Sequence, residues 1–248
     1  MKRQNQSIFF LLSVLVLALF GAPMLWAAEP VKCLLIGKEP HGEPGVLNET
    51  LADIAANYPS VVITAVEKDN LEALRYENLK NYDVLMLEQV SVENGNPPDF
   101  VKESLVQFLQ NGGGLFVSHF VVANMQNWRD SIHLLGSMWV NGKSTHKPKY
   151  EFQVDMVDET HPIVQGIKPF KTNDELYYNL LMRPDMHVIM SADEELFGQK
   201  IAYPMLMTYY MYNARCVYFA LGHDPEACSP KEFRQIIVQS IEWAACRR

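Results

Sequence analysis

Apolar and polar positions along the first half of this chain follow two alternating patterns. Short apolar runs such as Val31–Gly37 and Tyr82–Leu87 are typical of strands that are buried on both faces. Between these runs lie segments with apolar residues on one helical face, as at Val101 and Leu105 within Pro97–Gln110. Strands that alternate with helices indicate parallel pairing through right-handed crossovers, so the pattern predicts a doubly wound, three-layer α/β sandwich.

The same patterns locate the remaining elements of the predicted sandwich. Further strands are predicted at Val61–Val66, His187–Met190, Met205–Tyr209 and Cys216–Leu221, and further helices at Val46–Asn57, Leu71–Leu79 and Asn124–Leu135. The final helix is predicted from Ser229 as N-cap, Pro230 at the first position and Glu232 completing a capping box.

The middle third of the chain departs from this alternation of strands and helices. Residues 138–149 are polar and contain glycine, and Tyr150–Val157 alternates apolar and polar residues as a half-exposed strand does. We therefore expect a mainly parallel central sheet with an antiparallel and loop-rich extension over its edge.

The first 28 residues have the order of a secretory signal peptide. Lys2 and Arg3 precede the apolar run Ile8–Phe20, and small residues close the segment. We predict a signal peptide over residues 1–28, a single domain over 29–248, and a periplasmic or secreted protein without a stable membrane anchor. An uncleaved anchor is the alternative, although the apolar run is shorter than the roughly 20 residues that span a bilayer.

Charge excludes one large class of partner. The formal net charge of the whole chain is −8, and it is two units more negative without residues 1–28. No basic cluster with interleaved aromatic residues offsets this acidic surface, so we predict that the protein does not bind nucleic acid.

Four cysteines lie in the part of the chain that is predicted to be exported, where disulfides can persist. Cys228 and Cys246 flank the final helix and are therefore too far apart to pair. Cys33 with Cys246 is the one bridge that we consider, and free, partly buried thiols, including Cys216, are the expected state.

A histidine ends the strand that follows three consecutive glycines. Gly112–Gly114 allow the chain to leave a helix and turn sharply, and the apolar run after them delivers His119 to the carboxyl end of a strand. Ligands bind at that edge in open α/β sheets. His119 is therefore a candidate catalytic residue, and a hydrogen-bonded core histidine is the alternative.

Other polar side chains are expected at the same edge of the sheet. His41 follows the first strand and His223 follows the last central strand. The loop-rich middle supplies two carboxylates and two tyrosines, namely Asp174, Glu175, Tyr177 and Tyr178. Imidazoles beside carboxylates suit general acid-base catalysis near neutral pH. The alternative for residues 174–175 is a solvated loop without a catalytic role. The His161–Pro162 pair, a further histidine of the middle third, is read as a simple turn in which the proline fixes φ.

A metal site is a second use of the same residue types. Three histidines and a glutamate can bind zinc tetrahedrally, but no two of them have the close spacing of a known zinc motif. We therefore assign no metal or other cofactor, and zinc stays an alternative.

Four short motifs occur in an order and spacing that resemble one family. They are Gly112–Leu115 with His119, His161–Ile163 with Gly166–Ile167, Asp174–Tyr178, and Ala220–His223 before a final helix that carries Trp243–Ala244. In these features the chain resembles the ThuA-like (trehalose-utilisation) family. The resemblance implies a flavodoxin-like sandwich, the fold of class I glutamine amidotransferase domains.

The resemblance also defines what this chain lacks. The amidotransferase nucleophile has the pattern G-x-C-x-G, whereas the corresponding stretch here is Val117–Val121 and contains no cysteine. Glutamine hydrolysis by a thiolate is therefore excluded. Ser118 lacks the flanking glycines of a serine nucleophile. Met207–Tyr209 and Tyr212–Ala214 also depart from a Trp-Thr-Arg run and a Gly-Lys-Gly turn that are usual in the family.

The resemblance implies a role in carbohydrate metabolism, on keto-disaccharides formed by a partner oxidoreductase. We expect an exported enzyme that moves a proton next to the carbonyl of a keto-sugar or glycoside, in the manner of an isomerase or epimerase. His119 is the expected base, His223 or Glu175 the acid, and Tyr177 the donor to the enolate oxygen. The expected substrate-binding residues are His41, Asp174, Tyr178 and Ser118. A non-catalytic carbohydrate-binding domain and a zinc-dependent hydrolase are the alternatives.

Overall fold

The computed structural model describes residues 29–39, 45–196 and 198–245. The predicted signal peptide and His41 lie outside these ranges. None of the helices in the described part of the chain has the length and apolar character that crossing a bilayer requires.

A nine-stranded sheet with the order β2-β1-β3-β4-β13-β12-β11-β7-β8 forms the centre of the molecule. In chain order, the strands of the described residues are β1 (Val31–Lys38), β2 (Val61–Glu67), β3 (Val84–Leu87), β4 (Gly114–Ser118), β5 (Ser137–Met138), β6 (Thr145–His146), β7 (Tyr150–Met156), β8 (Phe170–Asp174), β9 (Tyr177–Tyr178), β10 (Leu181–Met182), β11 (His187–Leu196), β12 (Gln199–Met211) and β13 (Ala214–Phe219). The short strands form two small sheets, β5 with β10 and β6 with β9.

The first five strands of the sheet order run parallel. β1 pairs with β2 and β3, and β4 pairs with β3 and β13, all in parallel. Every residue of β3 and β4 is buried, which explains why these strands read as uninterrupted apolar runs. The predicted α/β sandwich with a parallel centre is confirmed.

The middle of the chain extends this sheet with antiparallel strands, as predicted. β12 pairs with β13, β11 with β12, and β7 with β11 and β8. β11 and β12 are longer than the predicted runs His187–Met190 and Met205–Tyr209. Their added residues include Glu194 in β11, which pairs with Ile201, and Lys200 in β12, which pairs with Glu195, near the tip of the hairpin. Backbone pairing holds these polar residues in strands, and an apolar pattern does not reveal that.

Helices cover the sheet and are shorter than predicted in two places. The α-helices of the described residues are α1 (Asn48–Asn57), α2 (Tyr76–Leu79), α3 (Asp99–Gln110), α4 (Val121–Asn124), α5 (Ser131–Leu135) and α6 (Lys231–Ala244), with 3-10 turns at Leu71–Leu74, Glu93–Gly95 and Pro162–Val164. The predicted helix Leu71–Leu79 is split because Arg75 is extended. Of the predicted helix Asn124–Leu135, only Asn124, the end of α4, and Ser131–Leu135, which forms α5, are helical. The residues between them leave the helical pattern, since the N–H of Asn127 donates to the carbonyl of Gly95 instead of to its own segment.

Helix α6 closes the fold. Its predicted apolar face is confirmed, since Phe233, Ile236, Ile237, Ile241 and Ala244 are all buried. The predicted capping box is wrong: the helix begins at Lys231 with Pro230 as N-cap, and no side chain caps it.

Two smaller predictions concern side chains away from the sheet edge. His161–Pro162 begins a 3-10 turn, as expected, and the N–H of Ile163 donates to His161 Nδ1 at 3.2 Å. Cys33, Cys216 and Cys228 carry free thiols and are buried more completely than expected. Cys246 lies outside the described residues.

Candidate functional site

His119 stands at the carboxyl end of β4, in the turn between a strand and a helix. Its φ is 25°, a left-handed value that residues with a Cβ seldom adopt. Two hydrogen bonds hold it: its N–H donates to the carbonyl of Phe219 and its Nδ1 to the carbonyl of Ala220, both at 2.8 Å. Because a carbonyl only accepts, Nδ1 carries the proton and Nε2 presents its lone pair.

Tyr177 completes the surroundings of that imidazole. Its hydroxyl donates to Nε2 of His119 at 2.9 Å, and the two rings stack with centroids 4.4 Å apart. Burial lowers the pKa of His119 to about 4, although the bond to Ala220 and the nearby Glu175 act in the other direction. Burial also raises the pKa of the Tyr177 hydroxyl above its ordinary value. At neutral pH a neutral phenol therefore donates to a neutral imidazole.

The carboxylate of Glu175 lies among three imidazoles, and we call these four residues the Glu175 cluster. Oε2 is 3.2 Å from Nδ1 of His223 and 3.8 Å from Nε2 of His119. Oε1 is 3.2 Å from Nδ1 of His146. The side chains of His223 and His146 are 41% and 39% exposed, against 4% for His119. Two accessible imidazoles therefore share one carboxylate with a buried one.

Asp174 fixes the loop that carries His223. The residue is fully buried, and its oxygens accept hydrogen bonds from the backbone N–H groups of Gly222, His223 and Glu175 at 2.8, 3.3 and 2.7 Å. Burial raises its pKa to about 6, and those three N–H groups oppose the rise. The alternative of a solvated loop is therefore wrong for Asp174, whose carboxylate positions the backbone around the cluster.

A cavity of about 380 Å³ opens in front of the cluster. Its walls include Glu175 and His223 together with the rings of Trp139, Tyr177 and Phe120. The ring of Trp139 meets that of Tyr177 edge to face, with centroids 5.3 Å apart. The volume falls in the range of about 300–1,000 Å³ that is usual for small-molecule sites, and apolar walls with a few convergent polar groups are typical of them.

The remaining predicted site residues lie elsewhere. Tyr178 points away from Tyr177, as neighbours in a strand do, and its ring packs edge to face on Tyr203 at 4.8 Å. Ser118 is 2% exposed inside β4, which leaves its hydroxyl little surface for a substrate. His41 lies outside the described residues. The structure thus brings together His119, His223, Glu175 and Tyr177, with Asp174 behind them.

Sequence reasoning missed two residues of the site, His146 and Trp139. Both come from the polar segment 138–149, where β6 pairs with β9 and sets His146 opposite Tyr177. Neither residue follows a central strand, so the strand-end argument does not reach them. The signal that could have found them is the occurrence of a tryptophan and a histidine, residue types common in binding sites, within one short loop-rich segment.

Solved structures with the same fold support this architecture. A putative ThuA-like protein from Parabacteroides merdae superposes with a TM-score of 0.70 at 20% identity, over 88% of this chain and 90% of that one. A putative ThuA-like protein from Bacteroides uniformis gives a TM-score of 0.62 at 19% identity, over 90% and 95%. A glutamine amidotransferase from Thermotoga maritima gives 0.51 at 8% identity, over 88% and 99%. At these identities the likeness shows the fold, that of flavodoxin-like amidotransferase domains.

Sequence comparison assigns the family. The comparison with curated proteins found no match. A family model described as ThuA, trehalose utilisation, matches residues 37–244. This range includes all four residues of the Glu175 cluster. The chain therefore belongs to the ThuA family of trehalose utilisation, and this membership points to a carbohydrate-related role.

Proposed function

We propose that this protein is an exported enzyme of carbohydrate metabolism that moves a proton next to the carbonyl of a keto-disaccharide or related keto-glycoside, without glutaminase activity. The observation that carries the proposal is the Glu175 carboxylate, which lies between two accessible imidazoles and lines a cavity together with aromatic rings. Such a pairing of carboxylate and imidazole supplies a general acid and a general base in one place.

The geometry supports roles that differ in part from those expected of the sequence. His119 is buried, and its two ring nitrogens are engaged by Ala220 and Tyr177, so it acts through Tyr177 and not on the substrate. His223, paired with Glu175 and 41% exposed, is the better base.

In the proposed step, His223 removes a proton from the carbon beside the substrate carbonyl. The electron pair of the C–H bond moves to the carbonyl oxygen as an enolate forms. The Tyr177 hydroxyl turns from His119 towards that oxygen and stabilises its charge by a hydrogen bond. Return of the proton to the opposite face of the same carbon completes an epimerisation. In an isomerisation the enolate oxygen takes up a proton, the hydroxyl on the neighbouring carbon loses one and becomes the new carbonyl, and the carbon proton returns to the former carbonyl carbon.

The walls of the cavity support a sugar as the substrate. Aromatic rings offer apolar faces to the C–H groups of a pyranose, and Trp139 and Tyr177 form such a wall. Family membership adds a carbohydrate-related role. Export to the periplasm or beyond is proposed from Lys2, Arg3 and the apolar run that follows them, and a partner oxidoreductase would supply the keto group.

Proton exchange tests this function directly. The protein is incubated with a series of keto-disaccharides in D₂O, and deuterium at the carbon next to the carbonyl is followed by NMR. We expect exchange that falls by about 100-fold or more in His223→Gln and in Tyr177→Phe. His187→Gln is the matched control, since His187 is an exposed histidine paired with Asp158 outside the cavity. Exchange that is equal in wild type and His223→Gln would refute the proposal.

A non-catalytic sugar-binding domain is the second candidate. It is favoured by the hydrogen bonds that occupy the two ring nitrogens of His119, because a histidine so held has no free lone pair for chemistry. Calorimetric binding of a disaccharide that survives His223→Gln, together with no deuterium uptake in wild type, would select this candidate.

A further inference from the structure

We propose that Nε2 of His119, Nδ1 of His223 and Oε2 of Glu175 form a binding site for one divalent transition-metal ion of the zinc class. The three atoms lie within 4.8 Å of one another, and the carboxylate oxygen is 3.2 and 3.8 Å from the two nitrogens. Ligand atoms around tetrahedral zinc, with bonds of about 2.0–2.2 Å, are separated by roughly 3.3–3.6 Å. The observed spacing is thus near that of a preformed site.

The three ligands are of the kinds that zinc accepts. Two imidazole nitrogens and one carboxylate oxygen make a His₂Glu set, which leaves a fourth position open for water or substrate. His119 is rigid because β4 and the carbonyl of Ala220 hold it. His223 has a side chain that is 41% exposed, and a shift of its ring by roughly 1 Å or less would close the set around one ion.

Neighbouring groups orient these ligands as the outer shell of a metal site does. The Nδ1–H of His119 donates to the carbonyl of Ala220 at 2.8 Å, which directs the Nε2 lone pair into the site. His146 lies 3.2 Å from Oε1 of Glu175 and leaves Oε2 to face the other two ligands. The backbone of the Glu175 and His223 loops is tied by Asp174. An acid-base pair alone does not need all of these contacts.

Tyr177 competes with an ion for the same lone pair. Its hydroxyl donates to Nε2 of His119 at 2.9 Å, so an ion must replace that bond. The exchange costs the net contribution of one hydrogen bond, about fivefold in metal affinity.

The use of the ion rests on the proposed function. A keto oxygen at the fourth position would be polarised by the ion, which would share with Tyr177 the stabilisation of the enolate charge. Because His223 would hold the ion through Nδ1, its Nε2 would carry the proton, and the base of the ion-bound form would be His146, the other accessible imidazole beside Glu175 in the cavity wall. Binding of the metal is a separate question, because the ligand geometry is independent of the substrate.

Calorimetry with zinc alone tests the site. The full chain is treated with a chelator, dialysed and titrated with Zn²⁺, and we expect one ion per chain. Glu175→Gln and His223→Gln should each weaken binding by about 100-fold or more, whereas His146→Gln, which removes an outer partner, should weaken it by about tenfold. His187→Gln is the matched control and should bind as wild type does. Tyr177→Phe should bind as tightly as wild type or tighter.

Cobalt provides a readout that needs no variant. Co²⁺ bound to wild type should show the intense visible absorption of a four-coordinate ion, and Zn²⁺ should displace it. No binding of either ion, or zinc affinity that is unchanged in both Glu175→Gln and His223→Gln, would overturn the assignment. Deuterium exchange by metal-free protein would remove the catalytic use of zinc and keep the proposed function. Zinc binding without exchange under any condition would keep the metal site and remove the proposed function together with the catalytic use of the ion.

Discussion

Glu88 shows how the fold changes the chemistry of a single side chain. It follows directly after β3, is 8% exposed and leans over Gly37, where an added Cβ would come within 2.3 Å of its Oε2. Burial raises its pKa to about 7, the charge of Glu39 adds to the rise and Lys68 opposes it. The residue also lines a smaller cavity of about 230 Å³ beside His119. The position of Glu88 in the sequence predicts neither its burial nor its raised pKa.

The raised pKa of Glu88 predicts a pH-dependent effect of Glu88→Gln on stability. A carboxyl whose pKa is higher in the folded state than in the unfolded state stabilises the fold below about pH 4, and that stabilisation is lost as the pH rises through about 7. Glutamine cannot ionise, so the variant should gain on the order of 1–3 kcal/mol over wild type at pH 8 and much less at pH 5. Urea unfolding at the two pH values measures the difference.

The control for this experiment is the exposed Glu195. Glu195→Gln should change the free energy of unfolding equally at both pH values. If Glu88→Gln behaved in the same way, its carboxyl would not be held protonated by burial.

Prediction at the residue scale succeeded where position alone decides the outcome. His119 and His223 follow parallel strands, and the carboxyl ends of such strands share one edge of the sheet. His146 and Trp139 reach the cavity through the pairing of β6 with β9, which no periodicity predicts. Burial, which sets the pKa of His119, likewise depends on what packs above it.

At the scale of elements, the contact between β4 and α6 holds the strand that carries His119. Gly114 lies against the last turn of α6, and a Cβ there would be 2.5 Å from the carbonyl oxygen of Ala244 and 2.7 Å from its carbonyl carbon. These are backbone atoms, so the helix as a whole would have to move. The close approach requires glycine at this position.

Gly114→Ala should therefore destabilise the protein by about 1–3 kcal/mol through overpacking. Gly45→Ala is the matched control, because the nearest atom to its added Cβ is at 3.6 Å, an ordinary contact distance. Thermal or urea unfolding of both variants provides the comparison. A Gly114→Ala protein within about 0.5 kcal/mol of wild type would show that α6 adjusts freely.

Elements were predicted best where one apolar pattern matched one mode of burial. β3, β4 and the inner face of α6 are such cases. The predicted helix Asn124–Leu135 does not form before Ser131, because a partner distant in sequence, Gly95, binds the N–H of Asn127; after Asn124, only Ser131–Leu135 is helical. Propensity summed along a segment cannot account for such a competitor.

At the scale of the whole molecule, the fold is shared with glutamine amidotransferases, but the stretch Val117–Val121 has no cysteine where their nucleophile stands. His119 occupies the strained turn after β4, where a nucleophile would be expected in that fold. The described cysteines lie in the core, and burial raises the pKa of Cys216 to about 12 and that of Cys33 and Cys228 still further above the ordinary value. A fold alone does not define an activity.

We therefore predict that the native protein releases no ammonia from glutamine. A coupled glutamate dehydrogenase assay measures this release, with heat-denatured protein as the control. The three core thiols should react with a disulfide reagent only after unfolding, since the reactive species is the thiolate. Ammonia release above the control would contradict the prediction.

The sequence by itself determined the α/β class, the parallel centre of the sheet and the edge at which His119 and His223 meet. It did so because strand burial and strand direction follow from local apolar patterns and short connections. Only the tertiary structure decided that Glu175 lies between three imidazoles, that Tyr178 faces away, and that His146 joins the cluster. Those outcomes depend on long-range strand pairing and on burial, which are properties of the packed chain and not of any one segment.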